Sequence, residues 1–322
     1  MSLQFLINYK TAISEDENWP VTHEWDLFFS AFNDSRRVQH VFEKVRATDK
    51  HWLIMPEYGY QASDYSERGS VFAGADHDEA EYLTKFFDWA CLAGKLRGIR
   101  ICVDITGFMR PHILFLLQYL AANGVESFDV LYSEPSRYSK GEATKFSDGR
   151  VLHVRPVAGY EGQHISDTSR DFMVIGVGYD HDLIAEVAEH KDHAQITPIY
   201  GLPSLSADMY QQSRIRSAAI TDGLAHRLTR PNPFFCNAND PFVTAHALQE
   251  LTTQLQEREN ATNLYFSPLG TKAQVLGFGL FYLHLMKDKP ASIIFPCKSR
   301  YQRETGQEIR RIWKYEVRLR PD

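Results

Sequence analysis

NLYFSPLGTKAQVLGFGLFYLHL, residues 263–285, is the stretch on which the reading of this chain turns. It opens with apolar residues of strand character, breaks at Pro268-Leu269-Gly270-Thr271-Lys272, and resumes with apolar residues at helical spacing. A strand that passes through a glycine turn directly into a helix is the repeating piece of parallel α/β sheets. The junction either seats a phosphate or simply joins two buried elements.

The same rhythm extends outward from it. The pattern predicts strands over 172–177, 195–200, 234–237, 263–266 and 291–295, with helices over 182–189, 205–224, 242–257 and 272–286 between them. That alternation predicts an α/β fold: a mostly parallel, Rossmann-like sheet with helices on both faces. Further upstream, GIRICVDITGFMRPHILFLLQYLAANGVESFDVLYSEPSRY (residues 98–138) carries a strand over 99–105 and a helix from Pro111 to Ala122 stopped by Asn123-Gly124. A second strand over 128–132 completes a βαβ unit. Short helices are expected over 25–32 and 38–45, a strand over 51–55, a loop over 59–78 and a helix over 79–96. Residues 133–170 are rich in Gly, Ser, Pro and charge, which favours a boundary near 165. The expected division is an N-terminal α/β region of unassigned role, residues 1–165, and a Rossmann-like ligand-binding domain, residues 166–322; a single mixed sheet of about seven strands is the rival arrangement. The alternating segment 313–319 is expected to close an edge.

The 322 residues carry a formal charge of -6, with 43% hydrophobic and 24% charged side chains. Neither a global attraction to nucleic acid nor one to an anionic membrane follows from that balance, and no duplex-binding signature is present. No apolar run reaches the ~20 residues needed to span a bilayer, and the first residues lack a signal-peptide pattern. The four cysteines are widely spaced without a CxxC pair, as expected of reduced thiols in a cytoplasmic protein. The histidines supply no metal-ligand spacing, so neither a metal nor a cofactor is expected.

Candidate chemistry collects where the strands end, because open α/β sheets bind ligands beyond their carboxyl ends. Gly270 permits a tight turn, Thr271 offers a hydroxyl, and Lys272 brings a positive charge to a helix start whose N–H groups lack partners. Equally, Thr271 could be a helix cap and Lys272 a solvated side chain. Gly176-Val177-Gly178-Tyr179-Asp180 follows a strand and precedes a helix, as a nucleotide loop would, although GxGxxG is incomplete. Asp104 ends a buried strand and Arg110 opposes the dipole of the next helix, so either they pair or Arg110 holds an acidic ligand. Glu134 follows the strand over 128–132 and, with Asp104, is the candidate catalytic carboxylate. The ligand-binding candidates are Arg110, Gly176, Gly178, Asp180, Gly270, Thr271 and Lys272.

The strand–PLGTK–helix arrangement resembles the strand–glycine–threonine–lysine–helix element of the CRISPR-associated Rossmann-fold (CARF-like) sensor domains, over residues 172–295. The resemblance implies that Gly270, Thr271 and Lys272 contact phosphate and that Gly176 to Asp180 form the loop after the family's first strand. It also implies a cyclic oligonucleotide as partner and a homodimer. The family's paired glycines are replaced here by Leu269-Gly270, and only ~27 residues follow Phe295, too few for a further effector domain. The expected function is binding or sensing of a nucleotide or other phosphorylated small molecule. The alternatives are a hydrolase of a nucleotide or phosphoester and a noncatalytic assembly component.

Overall fold

A computed structural model describes residues 9–13, 25–138, 147–178, 180–203, 234–303 and 306–320. Among the described residues the strands, in chain order, are β1 (Lys10–Ile13), β2 (Trp25–Ala31), β3 (Ala47–Leu53), β4 (Val71–Phe72), β5 (Ile101–Asp104), β6 (Ser127–Tyr138), β7 (Ser147–Pro156), β8 (Phe172–Gly176), β9 (Gln195–Gly201), β10 (Phe234–Cys236), β11 (Leu264–Pro268), β12 (Ala291–Tyr301) and β13 (Gly306–Arg318). They form two sheets, so the single mixed sheet is excluded. The first sheet runs β1-β13-β6-β5-β2-β3-β4 and the second β10-β9-β8-β11-β12-β7.

The chain forms two compact units, one made of residues 8–144 with 300–322 and the other containing residues 145–299. The division therefore differs from the expected boundary near 165 and is not made by a single cut. The reason is β13, which pairs antiparallel with β6 over nearly its whole length and ties the C-terminal segment to the first sheet. It lies inside that sheet rather than closing its edge, because β1 pairs with its other side.

Within each sheet a parallel core follows the same path. In the first, β2 pairs with β3, β3 with β4, and the chain then crosses back to place β5 against the other side of β2 and β6 beyond it. In the second, β8 pairs with β9, β9 with β10, and the crossing places β11 against β8 and β12 beyond. Strand order thus reverses between β2 and β5, and again between β8 and β11. β5 and β6, the strands of the upstream βαβ unit, belong to the first sheet.

The central strands β8 and β11 are buried along their whole length, as FMVIG and LYFSP. Trp25–Ala31, expected as a helix, is an inner strand of the first sheet, buried except at Asp26. A strand covered on both faces reads as a continuous apolar run without period two, so its pattern does not separate it from a buried helix. The helix expected over 79–96 ends at Trp89, where the backbone turns left-handed at Cys91 (φ 56°) and Gly94 (φ 70°). The helix expected over 272–286 is α-helical over Lys272–Phe281 and continues as a π turn over Tyr282–Met286. The helix expected over 205–224 lies outside the described residues. Phe29 anchors the first core against Phe86, Phe87 and Phe108 at ring distances of 5.2, 5.8 and 6.2 Å. Phe266 anchors the second against Phe281 at 5.3 Å. Among the described residues no helix is long and apolar enough to cross a membrane.

Candidate functional site

The carboxyl ends of β8 and β11 lie side by side, with Gly176 paired to Pro268 and the Leu269 amide donating to the Gly176 carbonyl at 3.0 Å. The loops that follow are pressed together. A Cβ on Gly178 would lie 2.0 Å from the Leu269 carbonyl oxygen, so only glycine allows this approach. Gly176 admits the Phe278 ring, which would be 3.2 Å from a Cβ there, and so seats the helix Lys272–Phe281 on the strand. The loop after β10 joins them: the Thr271 hydroxyl donates to the Ala238 carbonyl. The end of β9 meets the same loop, a Cβ on Gly201 coming within 3.0 Å of Ala238 Cβ. Gly176, Gly178, Gly270, Thr271 and Lys272 are therefore gathered at one reversal of strand order, with Asp180 at the start of the helix His181–His190.

The helix start at Lys272 is closed by its own side chains. Thr271 is the N-cap; its Oγ1 accepts from the Gln274 amide at 3.2 Å while Gln274 Oε1 accepts from the Thr271 amide at 3.0 Å. This reciprocal pair is a capping box. The hydroxyl expected to meet a ligand is thus engaged by the cap and by Ala238. Gln274 continues inward, its Nε2 donating to Cys236 Sγ at 3.1 Å. Gly270 is buried, and its φ is not positive; glycine is needed there because a Cβ would stand 2.3 Å from Gln274 Oε1. The T-x-x-Q spacing of Thr271 and Gln274 marks this cap in the sequence, in line with the alternative expectation that Thr271 is a helix cap. Lys272, half-buried, is the first helical residue. Asp240, immediately before Pro241, is the cap of the helix Pro241–Arg258, accepting from the Phe242 and Val243 amides at 3.1 Å each.

Asp104, Arg110 and Glu134 belong to the other unit: Asp104 ends β5, Arg110 opens the next helix, and Glu134 lies within β6, which runs on to Tyr138 instead of ending at residue 132. Asp104 is fully buried and accepts from Ser30 Oγ at 3.1 Å, the Thr106 amide at 2.9 Å and Thr106 Oγ1 at 2.5 Å. Thr106 Oγ1 in turn accepts from the Ser133 amide at 2.9 Å, tying β2, β5 and β6 together. Glu134, 2% exposed, accepts from Trp313 Nε1 at 2.8 Å and Arg310 Nη1 at 3.2 Å, both on β13. Both carboxylates expected to be catalytic thus hold neighbouring strands in their own sheet. Burial pushes the Cys102 and Cys236 thiols up, so both are held as neutral S–H groups rather than nucleophiles. No group of three or more His, Cys, Asp or Glu among the described residues could hold a metal.

In comparison with known proteins, no family model matches this chain and no curated protein matches it significantly.

Proposed function

We propose that the unit containing residues 145–299 is a Rossmann-like module that binds a nucleotide or another phosphorylated ligand at the crevice where the β8 and β11 loops meet. The observation that carries this reading is the reversal of strand order between β8 and β11, with Gly178 pressed on the Leu269 carbonyl and Lys272 opening the next helix. Ligands in such sheets sit at that point, outside the strand ends. Lys272 contributes a mobile charge to a phosphate at the mouth of the two loops. Thr271 shapes the loop rather than touching the ligand. The strand–PLGTK–helix likeness to CARF-like sensors falls on the same residues, and a cyclic oligonucleotide is the ligand that likeness suggests. Binding is favoured over hydrolysis because Asp104 and Glu134 are engaged within the first sheet.

A thermal-shift screen of mononucleotides, dinucleotides and cyclic oligonucleotides tests it on the wild type and on Lys272→Ala. At least one phosphorylated compound is expected to raise the melting temperature of the wild type and not of the variant, whose unliganded melting is unchanged. Equal responses of the two proteins, or none from either, would refute the reading.

A further inference from the structure

The first sheet repeats the strand-order reversal, between β2 and β5. A Cβ on Gly107, in the loop after β5, would lie 2.1 Å from the Ala31 carbonyl, so this loop is pressed on the end of β2 just as Gly178 is on Leu269. The two helices that follow are not closed by side chains. Neither the nine-residue helix Arg36–Lys44 nor the helix Arg110–Ala122 has a side-chain cap, and neither has an acidic residue in its first turn. Each instead begins with arginine, Arg36-Arg37 and Arg110, a charge the helix dipole disfavours at that end.

Buried polar side-chain atoms here also lack partners. Ser35, the N-cap of the first helix, is 3% exposed, and its Oγ has no hydrogen-bond partner among the described residues. Arg37 donates from Nη1 to the Ser133 carbonyl at 2.8 Å, yet its buried Nε has no acceptor. On the loop after β3, Glu57 is 6% exposed; its Oε1 meets His77 Nδ1 at 3.1 Å and its Oε2 meets nothing. The two loops meet where the Asp34 amide donates to the Tyr60 hydroxyl at 3.0 Å, and burial pushes the nearby Tyr58 phenol up, with Arg37 and Arg110 opposing and Glu57 adding to it. Donors without acceptors on the first loop and an acceptor without a donor on the second are the complement of a phosphate joined to a hydroxyl-bearing sugar.

We propose that the carboxyl end of the first sheet is a second ligand site, taking a nucleoside phosphate: its phosphate at Ser35, Arg37 and the start of the helix Arg36–Lys44, and a sugar hydroxyl donated to Glu57. This does not depend on the Lys272 crevice. The test is the Nε–H spectrum of nitrogen-labelled arginine in the full chain, with the Arg37 signal assigned by its loss in Arg37→Lys, titrated with inorganic phosphate and with AMP, GMP, CMP and UMP. The Arg37 signal is expected to move with inorganic phosphate and with at least one nucleotide, and to do so unchanged in Lys272→Ala. Glu57→Gln is expected to weaken the nucleotide about tenfold, the scale of one hydrogen bond to a charged acceptor, and to leave inorganic phosphate alone. Ser35→Asp, which supplies a cap and a competing carboxylate, is expected to raise the melting temperature and abolish the phosphate response. An Arg37 signal indifferent to all five compounds, a full phosphate response in Ser35→Asp, or nucleotide affinity unaffected by Glu57→Gln would each overturn the proposal.

Discussion

Replacing Gly178 with alanine tests the geometry of the β8–β11 crevice most directly. The new methyl would lie 2.0 Å from the Leu269 carbonyl oxygen, where ordinary contact begins at 3.4 Å, so the two loops must part by about 1.4 Å. The obstacle is backbone at the end of a fully buried strand, not the tip of a movable side chain, so relaxation means shifting Leu269 away from Gly176 and straining their hydrogen bond. Overpacking of this kind costs about 1–3 kcal/mol. A loss of about 2 kcal/mol corresponds to roughly 30-fold faster amide exchange wherever exchange follows opening of this unit. Hydrogen–deuterium exchange read by peptide should therefore show faster exchange over Phe172–Gly176 and Leu264–Pro268, with β2 and β5 of the first sheet as the internal reference. Unchanged protection in β8 and β11 would refute the close approach, and equal loss in β2 and β5 would refute a local origin.

Thr271→Ala removes the N-cap and the bond to Ala238, and is expected to cost about 1–2 kcal/mol in urea unfolding while Lys272→Ala costs almost nothing. Glu134→Ala leaves the Trp313 indole N–H and Arg310 without their acceptor and is expected to lower stability by about 1–3 kcal/mol in the same assay; a neutral result would remove its bracing role. Burial raises Tyr265 and Tyr282 to about 12 in the folded chain. The folded state then holds protons that the unfolded state releases from about pH 10 upward, so stability falls between about pH 10 and 12 and is intact below. Phenolate absorbance should show these tyrosines ionising after the exposed ones; ionisation with the bulk near pH 10 would contradict their burial.

Much of the α/β pattern was legible because it rests on local chemistry. The Thr271-to-Gln274 spacing, Pro111 inside a helix start, Asn123-Gly124 at its end and Asp240 before Pro241 each fix a terminus through neighbours three or four residues away. The strand-end position of Gly176, Gly178, Gly270 and Lys272 followed from that order of elements. What the glycines are for did not follow. Gly270 and Gly178 are required by side-chain and backbone atoms that approach from elsewhere, Gln274 Oε1 and the Leu269 carbonyl, and not by a left-handed turn.

The sequence by itself determined where strands give way to helices over most of residues 98–138 and 172–295, since hydrophobic period and capping act within a few residues. Tertiary structure alone decided that Trp25–Ala31 is an inner strand, that the C-terminal β13 returns to β6, and that Asp104 and Glu134 brace their own sheet. Each of those depends on a partner far along the chain: Glu134 meets Trp313, and Asp104 meets Ser30. Strand pairing and buried hydrogen bonds are settled by which surfaces the folded core brings together, and no local pattern of residues encodes them.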